Sequence, residues 1–404
     1  HNDEKGTLVI GGEVRIHNSE HYGEIVFGSA LPQGTPDNYQ YYYYEGKKNT
    51  FSVFANEVYR ITPKLTGMLG LQFTYMKYKI ANDKFKPYNF DVDYNFLTPR
   101  LGLNYNIDDN FRVFGNFSMA KREPRLKDIY NAEDPYSKPN FRIIDTLNNR
   151  YEDPYVKPEE MLSYELGAGY TSNVLKANLN LYMMNFSNEI VSNGQLDNVG
   201  QPINGNAGKS VHQGIEFDFE LRPFDNYASS NLMKNLYLTG NINLSDNYFK
   251  DYREILGSDS LGNLIYGNDY SENKILLNPS IIANLSLNYR TDFGLNVYVT
   301  AQHIGKQYLD NSENERKNPS ARNATGYADK YINAYTVFNA GISYDVMSSV
   351  KNKKLKGYLS SLEFSLKVNN IFDRLYETSG SVDWTGTAYW IPAAERNFYV
   401  NVKV

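Results

Sequence analysis

Apolar and polar residues alternate along much of the chain. In the segment 110–121 every second residue is apolar or small, and these residues are Phe111, Val113, Gly115, Phe117 and Met119. Successive side chains of a β-strand point to opposite faces, so this segment has one apolar face and one polar face. Its length also suits a tilted strand that crosses a lipid bilayer. The pattern therefore predicts a β-strand here. The same pattern recurs along the chain, and this recurrence indicates the type of sheet.

The same alternation predicts fourteen strands. They lie at about residues 6–16, 51–61, 65–78, 95–106, 110–121, 161–170, 174–186, 211–222, 236–245, 281–289, 293–301, 333–346, 358–371 and 396–404. Seven long loops and six shorter turns join them alternately. Long connections at one end, short turns at the other and an even strand number are typical of outer-membrane barrels. We therefore predict an all-β, antiparallel transmembrane β-barrel with about fourteen strands in this chain.

A soluble β-sandwich or β-propeller is the alternative fold. Such a fold predicts strands of about five or six residues and no difference in loop length between the two ends. In a membrane, a sheet with free edges would leave backbone groups unpaired in hydrocarbon, at a cost of several kcal/mol each. The strands therefore either close on themselves or form part of a larger barrel, and the alternation leaves both arrangements open.

Composition narrows the functional class. The chain has 404 residues, of which 41% are hydrophobic and 36 are tyrosines, with no cysteine and a net charge of −5. Tyrosine is favoured in strands and at membrane interfaces. The absence of cysteine excludes a disulfide framework and thiolate metal sites. The slight acidity, without a basic patch among aromatic residues, argues against nucleic acid as a partner.

Residues with catalytic or metal-binding chemistry form no recognisable motif. No HExxH or serine–histidine–aspartate spacing occurs, so we expect no enzyme activity and no cofactor. Glu216, Asp218 and Glu220 alternate along one predicted strand, and we interpret them as a polar face paired with Arg or Lys on neighbouring strands. The i, i+4 spacing of His17 and His21 suits a helix, so their position at a strand end disfavours a metal site.

Six motifs follow one another along the chain. They are FSVFANEVYRITPKL from Phe51, REPR from Arg122, VKPEE from Val156, SYELGAGY from Ser163, HIGKQYLDN from His303 and VNNIFDRLY from Val368. In this order they resemble the TonB-dependent outer-membrane receptors, which import iron chelates, haem, cobalamin or glycans. The resemblance extends over nearly the whole chain and implies a location in the bacterial outer membrane.

The resemblance also implies a larger protein. Receptors of this family have a 22-stranded barrel plugged by an N-terminal domain. Residues 1–404 would then be the C-terminal part of the barrel, and eight strands, the plug and the TonB-binding box would lie outside this sequence. Val404 departs from the family pattern, in which the barrel usually ends on an aromatic residue. The implied partners are the TonB complex, a small-molecule chelate and outer-membrane lipid.

The longest loop, 122–160, is the predicted ligand-binding segment. Its candidate contact residues are Arg122, Arg125, Tyr130, Tyr136, Arg142, Tyr151 and Tyr155. Guanidinium groups and aromatic rings suit an anionic aromatic chelate such as a ferric catecholate siderophore. Haem receptors of the family carry a histidine in the corresponding loop, and this loop has none. For each single residue, the alternative is an ordinary position in a tyrosine-rich surface loop.

We therefore predict TonB-dependent import of a scarce chelate, with a ferric siderophore as the first candidate. Uptake of cobalamin, haem or glycans is the alternative within the family. A passive fourteen-stranded porin or fatty-acid channel and a non-transporting adhesin or structural barrel are the alternatives outside it.

Overall fold

One antiparallel sheet dominates the computed structural model, which describes residues 5–134, 137–148, 150–196, 202–224, 231–258, 264–311, 320, 323, 325, 330–350, 359, 361–383 and 386–404. The described strands are β1 (Gly6–Ile25), β2 (Tyr39–Arg60), β3 (Leu65–Ala81), β4 (Phe90–Asn106), β5 (Phe111–Arg122), β6 (Phe141–Asp145), β7 (Arg150–Pro154), β8 (Glu159–Thr171), β9 (Leu175–Leu196), β10 (Pro202–Leu221), β11 (Leu236–Asp251), β12 (Arg253–Ser258), β13 (Leu264–Asp269), β14 (Ile281–Arg290), β15 (Leu295–Ile304), β16 (Gln307–Tyr308), β17 (Tyr331–Ile332), β18 (Tyr335–Asp345), β19 (Glu363–Asn369), β20 (Glu377–Val382), β21 (Ala388–Pro392) and β22 (Asn397–Lys403).

The main sheet contains fourteen of these strands in chain order: β1, β2, β3, β4, β5, β8, β9, β10, β11, β14, β15, β18, β19 and β22. Each pairs antiparallel with the next, so the predicted order is confirmed. The remaining eight strands form small hairpins within the long loops. In the part of the chain that is described, β1 and β22 each pair with one neighbour.

Several strands continue beyond the predicted boundaries at the end of the sheet that carries the long loops. The predicted segment 174–186 is the lower part of β9, and the segment 211–222 belongs to β10, which begins at Pro202. Crossing a bilayer takes about 9–11 residues of a tilted strand. The alternation ends where the lipid ends, whereas backbone hydrogen bonds continue wherever the neighbouring strand offers a partner.

The apolar rows of the strands are exposed rather than packed in a core. Leu69 is 56% exposed, Leu181 42% and Leu287 48%, each in the middle of a strand of the main sheet. In a soluble sandwich these side chains would pack against a second sheet. Their exposure on one face of a continuous sheet is what a lipid-facing wall requires, and the transmembrane barrel class is therefore confirmed over the soluble alternative.

The described helices are short. They are α1 (Leu126–Ile129), α2 (Asn231–Lys234) and α3 (Val346–Ser349). None of the helices in the described ranges is long and apolar enough to cross a membrane.

Buried apolar side chains gather at the long-loop end of the sheet. One group, which we call the aromatic loop cluster, consists of Tyr44, Ile80, Phe90, Ile129, Tyr130, Ala132 and Phe141. A second joins β9, β10 and β11 with the segment that follows β11, around Phe249, and a third surrounds Leu309. These clusters hold the long loops against the upper parts of the strands.

Candidate functional site

Arg122 lies at the end of β5, at the start of the predicted ligand-binding loop. Its Nη2 donates to Glu159 Oε2 at 2.7 Å and to the carbonyl of Ile190 at 3.3 Å. The same Glu159 oxygen accepts the backbone N–H of Ile190 at 2.8 Å. These bonds connect β5, β8 and β9, so in this structure Arg122 positions the base of the loop.

The rest of the REPR motif is also engaged within the protein. Glu123 accepts hydrogen bonds from Lys48 Nζ at 2.6 Å and from the Tyr78 hydroxyl at 3.3 Å, which ties the loop to β2 and β3. Arg125 donates from Nη2 to Asp128 Oδ1 at 2.8 Å and from Nε to Asp128 Oδ2 at 3.2 Å. Arg125 is thereby linked to helix α1 and stabilises its first turn.

Two of the predicted tyrosines belong to hydrophobic packing. Tyr130 is 1% exposed, and its hydroxyl donates to Asp83 Oδ2 at 3.0 Å. Burial raises the pKa of Tyr130 above its ordinary value, followed in size by the effect of the Asp83 charge. The Tyr151 ring lies 5.3 Å from Phe90 and 5.8 Å from Phe141. Both tyrosines pack the loop in this conformation, and Tyr136 lies outside the described residues.

Arg142 and Tyr155 line a cleft of about 520 Å³, a volume within the usual range for small-molecule sites. Other lining residues are Asp153, Lys157, Asn206, Asp251, Arg253 and Tyr266. They come from the predicted loop, the upper parts of β10 and β11, and the hairpin β12–β13. Asn206 lies on the same face of β10 as Glu216, opposite the face of Phe217, so the cleft lies on the polar side of the sheet.

Charged side chains of both signs line this cleft. Arg142 Nη1 donates to Asp153 Oδ2 at 3.1 Å, and Lys157 Nζ donates to the other oxygen of the same carboxylate. The hydrogen bond from Lys157 lowers the pKa of Asp153, and the hydrogen bond from Arg142 lowers it further. On the other side of the cleft, Arg253 Nε lies 3.6 Å from Asp269 Oδ2.

Asn206 holds one wall of the cleft in place. Its Oδ1 accepts the backbone N–H of Lys157 at 2.7 Å, and its Nδ2 donates to the Lys157 carbonyl at 3.1 Å. The Nδ2 group also donates to the Asn188 carbonyl at 2.7 Å. One amide thus fastens the VKPEE motif to the β9–β10 hairpin.

The structure therefore divides the seven predicted contact residues. Arg142 and Tyr155 share a cleft, whereas Arg122 and Arg125 form ion pairs at the start of the loop. Sequence reasoning missed Asn206, Arg253 and Tyr266, which lie far along the chain from the predicted loop. Lys157 belongs to the VKPEE motif, and its basic side chain directly before Pro158 was the available signal.

The alternating carboxylates of β10 have mixed partners. Asp218 accepts from Asn178 Nδ2 at 3.0 Å, and Glu216 accepts from Asn243 Nδ2 at 3.2 Å. Only Glu220 has the predicted cationic partner, since Lys176 Nζ of the neighbouring strand lies 3.8 Å away. The predicted pairing with Arg or Lys is therefore wrong for Asp218 and Glu216, because asparagine faces them across the strands.

His21, one residue of the histidine pair near the start of the chain, takes part in local contacts. His21 stacks on Tyr44 with ring centroids 4.7 Å apart, and its Nε2 lies 2.7 Å from Ser19 Oγ. Among the residues that the structure describes, no group of three or more histidine or acidic side chains is arranged to hold a metal ion.

Comparison with known proteins identifies the barrel type. A family model described as "TonB dependent receptor-like, beta-barrel" matches residues 2–371. It covers almost the whole main sheet and all the cleft residues.

Solved structures with the same fold cover nearly the whole chain. They include the ferric yersiniabactin uptake receptor FyuA from Yersinia pestis, with 15% identity and a TM-score of 0.64 over 100% of this chain and 51% of that one. The unliganded ferric citrate transporter FecA has 16% identity and a TM-score of 0.67, over 100% and 52%. The copper transporter OprC has 14% identity and a TM-score of 0.65, over 99% and 54%. The chain thus spans about half the length of these proteins.

Proposed function

The chain belongs to the TonB-dependent receptor-like β-barrel family, and on this premise we propose that it forms part of a receptor that imports a ferric siderophore. Its location is the outer membrane, as for the family and its structural neighbours. The proposal assigns capture of the chelate to the long loops, which lie on the extracellular side in barrels of this type.

The cleft of Arg142 and Tyr155 is the observation that supports the proposal. It combines the cations Arg142, Lys157 and Arg253 with the rings of Tyr155 and Tyr266. Cationic and aromatic side chains together suit a ligand with anionic oxygens and flat rings, such as a ferric catecholate. The cleft lies on the polar side of the sheet, which is the side that faces the interior in barrels of this type.

The structural neighbours support metal uptake in general. They include a ferric yersiniabactin uptake receptor, a ferric citrate transporter and a siderophore receptor, and one neighbour transports copper. At 14–18% identity these substrates belong to those proteins, so the choice of a siderophore rests on the chemistry of the cleft. Uptake of cobalamin, haem or glycans stays the alternative within the family.

Energy coupling is the second part of the proposal. It assigns coupling to a plug and a TonB-binding segment outside residues 1–404, with no chemical conversion of the ligand. A passive porin or fatty-acid channel is the rival from another class. Uptake that stops when TonB is deleted would exclude the passive channel, and uptake that continues would exclude the proposal.

Direct binding tests the choice of ligand. The full-length receptor in detergent is titrated with a ferric catecholate, a ferric hydroxamate, haem, cobalamin and oligosaccharides. We expect the ferric catecholate to bind, and Arg253→Gln to weaken it about tenfold because a charge-assisted hydrogen bond is lost. Arg150→Gln is the matched control, since Arg150 pairs with Glu152 outside the cleft. Binding of oligosaccharides alone would contradict the siderophore proposal.

A further inference from the structure

We propose that Asp153 is a built-in counter-anion, which neutralises Arg142 and Lys157 from within the chain and competes with an anionic ligand for them. The inference deepens the proposed function and rests on it, because it concerns how the same cleft selects its ligand. It assigns to Asp153 the task of setting the affinity for anions.

The contacts of Asp153 use both carboxylate oxygens. Oδ2 accepts from Arg142 and Oδ1 accepts from Lys157, and all three side chains line the cleft. A ligand carboxylate or catecholate offers the same pair of acceptor oxygens. Asp153 and such a ligand would therefore compete for the same two cations.

The exposure of these side chains makes exchange feasible. Arg142 is 45% exposed, Asp153 41% and Lys157 42%, so water reaches each of them. Exposed ion pairs are weak, because water screens the attraction and holding two long side chains costs entropy. By contrast, Glu123 in the pair with Lys48 at the start of the loop is only 16% exposed. The cleft thus contains the ion pairs that a ligand can replace.

The backbone at Asp153 is the second observation. The φ angle of Asp153 is +59°, in the left-handed region that residues other than glycine rarely adopt. Asp153 also directly precedes Pro154. A residue before proline normally adopts an extended conformation. Such an outlier persists only where the surrounding structure imposes it. The carboxylate at this position contacts both Arg142 and Lys157.

Tyr155 and Tyr266 define the chemical class of the competitor. Both tyrosines line the same cleft as Arg253. A ligand with several anionic oxygens and aromatic rings would contact the cations and the rings together. We therefore infer a polyanionic aromatic chelate, and a neutral chelate would gain nothing from the removal of Asp153.

The test compares Asp153→Asn with Glu152→Gln in the full-length receptor. Glu152 is the adjacent residue, and its substitution removes the same charge from an ion pair with Arg150 outside the cleft. The probes are a ferric tris-catecholate, a neutral ferric trihydroxamate and iron-free citrate, each measured by calorimetry. We expect D153N to bind the two anions about fivefold more tightly and E152Q to bind them as the unchanged receptor does.

The direction of the change is decisive. If Asp153 only supports the loop, its substitution should weaken ligand binding. If Asp153 competes with the ligand, its substitution should strengthen binding. Asp153→Gly is the second variant, because glycine adopts the positive φ without steric cost. It must show the same gain, and high salt must reduce the gain in both variants. Equal or weaker binding of both anions by D153N and D153G would overturn the proposal.

The probes separate this inference from the proposed function. If the unchanged receptor binds no ferric chelate but D153N gains citrate binding, the siderophore proposal fails and the counter-anion proposal stands. If the unchanged receptor binds the ferric catecholate and neither variant gains affinity for either anion, the counter-anion proposal fails and the siderophore proposal stands.

Discussion

Apolar side chains are exposed in the main sheet, which we call the wall, and buried in the loops above it. In the wall, Leu69, Leu181 and Leu287 are exposed, whereas Phe90 and Tyr130 in the loop region are buried to 4% and 1% exposure. Lipid supplies the apolar surroundings of the wall, so its strands need no core of their own. Water surrounds the loops, so they must bury apolar surface against one another. The wall is thus adapted to lipid and the loops to water, so substitutions should have different consequences in the two regions.

The loop region should respond most strongly to the loss of a core ring. Phe90→Ala removes a side chain that packs on Tyr130, Phe141 and Tyr151. Losing a buried phenylalanine costs about 3–5 kcal/mol, and the cost falls on the packing of the loop. We expect faster proteolysis of the loop on whole cells while the barrel keeps its heat-modifiable mobility in gels. Phe85→Ala is the control, because Phe85 is 45% exposed.

If Phe90→Ala unfolds the barrel as well, the aromatic loop cluster and the wall form one cooperative unit. That result would contradict the separation of the two regions.

A charge introduced on the lipid face of the wall should have a larger effect than one introduced on its polar face. Leu181→Arg places a charge on the lipid side of β9 and should cost about 2–4 kcal/mol of folding into a bilayer. Asn180→Arg, one residue away on the polar face and bonded to Glu216, should be tolerated. Folding into lipid vesicles, followed by gel mobility, measures both. Tolerance of L181R together with failure of N180R would reverse the assignment of the faces.

The junction between the two regions depends on the Asn206 amide. Asn206→Ala leaves the Lys157 backbone N–H and carbonyl without their partner, which costs about 1–3 kcal/mol per buried group. We expect faster hydrogen exchange in residues 150–158 and unchanged exchange in the wall, measured by mass spectrometry. Asn278→Ala is the control, since its side chain donates to the Leu276 carbonyl within its own turn. Unchanged exchange at 150–158 would exclude this role.

The smallest expected effect is the pH dependence of the cleft. Lys157 and Arg142 hold the pKa of Asp153 below its ordinary value, so the ion pairs are fully present above about pH 4. They are lost only as the pH falls through the lowered pKa. The ratio of the two affinities for the ferric tris-catecholate, that of D153N to that of the unchanged receptor, should therefore stay constant between about pH 5 and 8. A ratio that falls steadily across that window would show that a different group competes with the anion.

The strands could be predicted because their constraint is local. Lipid on one side requires an apolar residue at every second position, and this pattern is visible without any partner strand. Prediction failed where that constraint ends, since β2 begins at Tyr39 rather than at residue 51. The tyrosines there show no alternation of hydrophobicity, and only the pairing with β1 and β3 extends the strand.

The candidate site was predictable only as a loop with suitable residue types. Tyr130 and Tyr155 are both tyrosines of that loop, but Tyr130 is buried and bonds to Asp83, whereas Tyr155 lines a cleft. No local pattern separates them, because their environments depend on residues distant in sequence.

The alternation along the chain was sufficient to establish a membrane-spanning antiparallel sheet, its strand order and its long-loop end. Three-dimensional packing alone established that Arg142 and Lys157 share one carboxylate and that Asn206 fastens their loop. The physical reason is the range of the interactions. Exposure to lipid acts on each residue separately, whereas a cleft forms only when several distant loops fold against one another.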